Sequence, residues 1–232
     1  MVRLDHARQV AYQARDVVLE LLHTAATDDD TAFASQRWLL ESLSKRMIYY
    51  HLYGDLLHPS AESKRVLDVG GGYTALTRQL VAQHDYTLLD LLAHDSAAVL
   101  QRVEGVLGRC FWEDADWYEF PVRVGYDVVV ANDLFPNVDQ RLAIFLERYL
   151  PVCREIRLSL TYYNSPRWYR VKRTDADEVF HMLAWDGAQV RRVLEGYRDR
   201  IEAPDFNCLL EDPPSLFGNG RQVCLVVLRG NG

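Results

Sequence analysis

No apolar run in this chain reaches the roughly 18 residues that a membrane-crossing helix needs. Cysteine is scarce and scattered. Cys110, Cys153, Cys208 and Cys224 form no Cys-x-x-Cys pair and have no histidine cluster beside them. That pattern gives neither a metal site nor a disulfide framework, and it leaves the thiols as small buried apolar groups. Lysine is nearly absent, with 3 residues against 23 arginines. Acidic residues outnumber basic ones 33 to 26, for a net charge of −7. A chain with that balance offers no broad basic face, so nucleic acid is not an expected partner. A small neutral or cationic ligand suits it better. The opening residues, MVRLDHARQVAYQ, lack the basic-then-apolar layout of a secretory signal, and a cytoplasmic protein is expected. Internal repeats and low-complexity linkers are also missing.

What is present is ample material for a core. Hydrophobic residues make up 49% of 232 positions, enough for one α/β domain with an appended helical piece. Residues 4–23 read as an amphipathic helix with Val10, Val17, Val18, Leu21 and Leu22 on one side. TDDDTA at 27–32 breaks the pattern, and a second helical region covers 33–57. From residue 64 the period changes. Short apolar strands at 64–69, 86–89, 110–111, 126–131 and 155–160 alternate with helices at 74–83, 95–107, 138–149 and 187–200. Such alternation implies a parallel sheet with right-handed crossovers. Two further strands, at 206–210 and 222–228, are joined only by EDPPSLFGNGRQ, which is too poor in helix formers for a crossover. An antiparallel hairpin at one sheet edge is the expectation.

The segment 66–77, VLDVGGGYTALT, is a strand running through glycines into a helix. Glycine permits positive φ and close approach of a ligand to the backbone, and the helix amino end presents unpaired N–H groups. Gly70-x-Gly72-x-x-Ala75 fits the dinucleotide pattern. The same residues resemble the first motif of class I S-adenosylmethionine-dependent methyltransferases, in which an acidic residue (here Asp68) precedes Gly-x-Gly by one spacer. Asp90 ends the next strand, 22 positions after Asp68, where a carboxylate can accept from both ribose hydroxyls. A dehydrogenase would share that feature. Glu113-Asp114-Ala115-Asp116-Trp117 resembles the methyltransferase family's acidic turn, and the terminal hairpin is the family's rather than the dinucleotide fold's.

The resemblance covers about residues 60–230. It implies a Rossmann-like fold with a seven-stranded, mostly parallel sheet and an antiparallel C-terminal hairpin strand. Residues 1–60 would form a helical lid and residues 61–232 the cofactor-binding domain. It implies S-adenosylmethionine as cofactor and no metal. Asp68, Gly70, Gly71, Gly72, Thr74, Asp90, Leu91, Asp114, Ala115 and Asn132 would hold the cofactor. Where the family often has a third glycine this chain has Thr74, which either contacts the cofactor carboxylate or caps the helix. Trp117 either stacks on the adenine or covers the core.

The acceptor belongs over the fourth parallel strand, where Asn132, Asp133, Asn137 and Asp139 gather. Asp139 or Asn137 is expected to cap the next helix. Asn132 and Asp133 are the catalytic candidates, with Tyr162 from the aromatic stretch TYYNSPRWY (161–169) and His51 as a candidate base. His181 has a weaker claim. Asp133 and the aromatics favour a nitrogen acceptor, an amine or guanidine on a small polar metabolite or natural-product precursor. A sugar or other hydroxyl is the alternative, and a non-catalytic or NAD-dependent relative is the contrasting class. A homodimer is left open.

Overall fold

A computed structural model of the chain describes residues 1–91, 97–173 and 178–232. It begins with a short strand β1 (Val2–Arg3) and four helices: α1 (His6–Gln13), α2 (Val17–Ala25), α3 (Ala34–Glu41) and α4 (Leu43–Tyr53). The two long helices expected here are each broken in two. At both breaks a polar side chain takes a backbone N–H and starts a new helix: Asp16 accepts from Leu19 N, and Ser42 Oγ accepts from Lys45 N. The shortened α1 leaves Val10 exposed.

The α/β part runs β2 (Arg65–Val69), α5 (Ala75–Gln83), β3 (Asp85–Leu89), α6 (Ala97–Leu107), β4 (Trp112–Glu113), β5 (Tyr126–Asn132), α7 (Leu142–Tyr149) and β6 (Cys153–Tyr162). The expected start of α6, at 95–96, lies outside the described residues. A hairpin of β7 (Arg167–Arg173) and β8 (Glu178–Ala184) follows, then α8 (Gly187–Glu195) and β9 (Gln222–Arg229). Strand order is β1-β9-β6-β5-β2-β3-β4. Strands β2 to β6 pair in parallel, and β9 lies antiparallel to β6.

The seven-stranded sheet and its antiparallel C-terminal strand match the sequence reading. The hairpin partner does not. Residues 206–209 form a 3-10 turn, and the slot beside β9 is filled by β1, with Val2 opposite Leu225 and Arg3 opposite Cys224. Arg3 then donates to Cys208 O at 3.0 Å, holding the turn below the strand it displaces. The β7–β8 hairpin, in a stretch read as irregular, is a separate two-stranded sheet.

Alternate residues of the strands feed two cores, as a sheet covered on both faces requires. Val66, Val128 and Val130 pack with α2, α4, α5 and α6. Leu67, Val69, Val129 and Ile156 pack with α7 and α8. The amino-terminal helices share the first core with the sheet, and buried Asp30 ties them to α5 through Arg78 at 2.6 Å. Cys153, Cys208 and Cys224 are buried, but Cys110 is exposed, against expectation. Among the described residues, no helix is long and apolar enough to cross a membrane. The carboxyl ends of β2, β3, β5 and β6 all open on one edge of the sheet, where ligands of such folds bind.

Candidate active site

The glycine turn leaves β2 at that edge. Gly70 and Gly72 have φ of 69° and 64°, the left-handed region that favours glycine. Gly71 is required for another reason: a Cβ there would lie 2.4 Å from both carboxylate oxygens of Asp68. Asp68 is buried and cannot swing away, because Tyr53 Oη donates to it at 2.9 Å and Tyr86 Oη at 2.5 Å. Burial pushes its carboxyl up to about 7, helped by nearby Asp90 and opposed by the two phenols. Gly71→Ala is therefore expected to destabilise the fold by about 1–3 kcal/mol, as overpacking of a tight site does. A chemical denaturation midpoint equal to the parent's would refute this.

The turn's amides are met by neighbouring elements. Gly70 N donates to Leu89 O, and Gly72 N donates to Asp90 Oδ2, both at 2.9 Å. Thr74 is buried and paired with Thr77, whose hydroxyl accepts from Thr74 N at 3.0 Å. Thr74 is the N-cap residue of α5. Two residues that sequence reasoning missed come from α3. Ser35 Oγ sits so close to Gly72 that a Cβ there would meet it at 2.0 Å. Gln36 Oε1 accepts from Ala75 N at 2.9 Å, which fixes the amide beside the first turn of α5. Its Nε2 is buried and has no partner among the described residues. A Ser-Gln pair in the first turn of an otherwise amphipathic helix was the only sequence signal.

Asp90, Leu91, Asp114 and Ala115 come together at neighbouring strand ends, because Leu89 pairs with Glu113 and Asp90 N donates to Glu113 O. Leu91 and Asp114 are exposed and Ala115 is half-buried. Trp117 is core: its ring meets Phe135 and Phe145 edge-on, and Nε1 donates to Asp139 Oδ2 at 2.7 Å. Adenine stacking by Trp117 is thereby withdrawn. Neither Asn137 nor Asp139 is the N-cap of α7, which starts at Leu142. Asp139 instead accepts from Arg141. Burial opposes its ionisation, but Arg141 and Trp117 outweigh this and hold the carboxyl below its usual range.

Over β5, Asn132 and Asp133 each meet a side chain of β6. Asn132 Oδ1 accepts from Ser159 Oγ at 2.8 Å. Asp133 has φ of 56°, a conformation that aspartate tolerates better than most residues. Its Oδ1 accepts from Thr161 Oγ1 at 2.7 Å, and its Oδ2 accepts from Arg221 Nη1 at 2.8 Å. Both oxygens are engaged, and the Arg221 guanidinium already pairs the charge of Asp133. Sequence reasoning missed Arg221 because it lies 88 positions away in a turn-rich link.

Tyr162 is also corrected. It faces the second core, 1% exposed, with its hydroxyl 3.5 Å from Cys208 O, and burial pushes its phenol up. His51 is apart from the strand-end cluster. It lines a cavity of about 740 Å³ with His58, Asp55, Glu155, Arg157 and Val227, which shares no residue with the surroundings of Asp133. Burial, then Arg8, lowers its pKa. His181 is exposed on β8. Of the aromatic stretch, Tyr163 and Tyr169 join hydroxyls at 3.0 Å under the Arg167 guanidinium.

No family model matches this sequence, and no curated protein matches it. Solved structures do. The 1,6-didemethyltoxoflavin-N1-methyltransferase of Burkholderia thailandensis, with S-adenosylhomocysteine bound, aligns over all of this chain and 93% of its own at a TM-score of 0.51 and 15% identity. Magnesium protoporphyrin IX methyltransferase from Synechocystis PCC 6803, with S-adenosylmethionine bound, aligns over 98% of each chain at 0.51 and 13%. The N-terminal domain of EvdMO1, with S-adenosylhomocysteine bound, covers 90% of this chain and 83% of its own at 0.51 and 17%. The chain has the class I methyltransferase fold. In the frame of that methyltransferase fold, the glycine turn, Asp90 and the loop after β5 stand at one sheet edge, with α3 laid against the turn.

Proposed function

We propose that the chain is an S-adenosylmethionine-dependent methyltransferase acting on a small polar molecule. The observation that carries the reading is the set of groups around the glycine turn. Asp90 grips Gly72 from the end of β3, and the unpartnered Gln36 Nε2 is buried beside the amino end of α5. A buried donor without a partner is costly and calls for one from a ligand. A methionine carboxylate would satisfy it, Asp90 would accept from ribose hydroxyls, and Asp68 would face the ammonium. The residues present therefore fit the cofactor. When bound, S-adenosylmethionine supplies an electrophilic methyl on a good leaving group.

The protein's own task is then chiefly alignment and exclusion of water. Ser159 holds Asn132, and Thr161 with Arg221 holds Asp133, so the loop over the transferred methyl is fixed in advance. Amine, guanidine and alcohol acceptors belong in one assay panel. Titration calorimetry with S-adenosylmethionine and NAD tests the reading. Tight NAD binding without S-adenosylmethionine binding would overturn it.

Tyr162 and His51 stand outside the chemistry in this reading. Tyr162→Phe and His51→Ala should each keep turnover within about twofold of the parent, since neither removes a transition-state contact. A hundredfold loss in either, with cofactor affinity intact, would return that residue to the site.

A further inference from the structure

The corner where β5, β6 and β9 meet α4 has an excess of positive charge. Lys45 lies on α4 with its ammonium 4.4 Å from the Trp38 ring centre. It is within electrostatic range of Asp133, Arg221 and Glu41, yet no ion pair to its ammonium is found among the described residues. Burial is the main influence on it and favours its neutral form, so an unbalanced ammonium here is costly. Arg221 is only 12% exposed at its side chain and lies over Phe217. It pairs with Asp133 through Nη1, while its Nε is buried with no partner among the described residues. Asp133 is the nearest anion, and its two oxygens are already shared among Arg221, Thr161 and Asn137. Arg167, beside Tyr163 and Tyr169, adds a further cation to the same corner, because Tyr169 feels both Arg167 and Arg221. Glu41 is exposed and does not close the balance.

We infer that the small molecule bound at this edge carries an oxyanion, a carboxylate or a phosphate, which docks between Lys45 and Arg221 with its body against the aromatic rings of the corner. Calling that molecule the methyl acceptor rests on the methyltransferase reading; the anion site does not. The chemistry is direct. An oxyanion shared by a guanidinium and an ammonium makes charge-assisted bonds, roughly twice as strong as neutral ones, and the partly buried setting strengthens them. Trp38, Phe217 and Tyr169, each partly exposed, supply flat apolar surface of the kind that binds a planar body.

The test titrates the full chain, with and without S-adenosylhomocysteine, with benzoate and phenyl phosphate and with the neutral analogues benzamide and benzyl alcohol. At least one anionic probe should bind saturably, at least tenfold more tightly than its neutral counterpart. The anion preferred tells carboxylate from phosphate. Lys45→Met keeps a flexible chain against Trp38 and should weaken the anionic probe about tenfold while leaving S-adenosylhomocysteine affinity unchanged. Arg221→Lys, which keeps the charge beside Asp133 but loses the guanidinium fork, should weaken it as well. Neutral probes binding as tightly as anionic ones, or anionic binding unchanged in Lys45→Met, would overturn the inference. So would the absence of saturable anion binding in a protein that binds S-adenosylhomocysteine. Anion binding without S-adenosylhomocysteine binding would instead sink the methyltransferase reading and leave the anion site standing.

Discussion

Asp90→Ala is expected to weaken S-adenosylhomocysteine binding by at least about 100-fold. A carboxylate accepting from two ribose hydroxyls makes two charge-assisted bonds, each worth about 1.5–3 kcal/mol, and every 1.4 kcal/mol is tenfold. The structure adds a second route to the same loss. Asp90 Oδ2 accepts from Gly72 N at 2.9 Å, so the carboxylate also holds the glycine turn in shape. Asp90→Asn separates the two. It keeps an acceptor for Gly72 and loses the charge, and it should retain an affinity between parent and alanine variant. Calorimetry on all three proteins decides the matter. Unchanged affinity in Asp90→Ala would mean that the cofactor does not use the end of β3.

The second large effect concerns Asp68 and pH. Its carboxyl, near 4 in an unfolded chain, is pushed up to about 7 chiefly by burial. Between these values the folded chain holds a proton that the unfolded chain has released. Stability must then fall as pH rises through that window, because the native state binds more protons. The gap between the two values corresponds to up to about 4 kcal/mol. Asp68→Asn keeps the hydrogen-bonding shape between Tyr53 and Tyr86 without an ionisable group. It should match the parent near pH 4 and exceed it by a few kcal/mol at pH 8. Urea denaturation at the two pH values measures this, and a parent with no such relative loss refutes the account. The cost also has a functional sense. A cofactor ammonium would pair with the ionised carboxylate, so cofactor binding between pH 4 and 7 should release a proton. Calorimetry in buffers of different ionisation enthalpy would detect it.

The glycine turn illustrates how local information reached the fold. Its strand, its glycines and the helix after Thr74 are set by nearest-neighbour chemistry: β-branched residues, two positive-φ positions and a cap. Parallel pairing followed from strand–helix alternation, and the positions of Asp68 and Asp90 at neighbouring strands followed from that pairing. The breaks at Asp16 and Ser42 were legible in principle, since both are capping residues, but the apolar periodicity on either side concealed them.

Only tertiary structure decided the rest. Whether residues 206–210 or the chain's first residues fill the sheet edge depends on competition for one row of backbone groups on β9, more than 200 residues from β1. Whether Asp133 is free or paired depends on Arg221, brought over it by the loop before β9. Tyr162 and Trp117 look alike in sequence to any pocket aromatic, and only the packing of α7 and α8 assigns them to the core. Gln36 became a site residue because α3 lies against the glycine turn. The β–glycine–α unit and its carboxylates were legible from the residues alone, because those choices are local. The charge around Lys45, Asp133 and Arg221 is a sum over residues from α4, the end of β5 and the loop before β9, and such a sum exists only once the chain has folded.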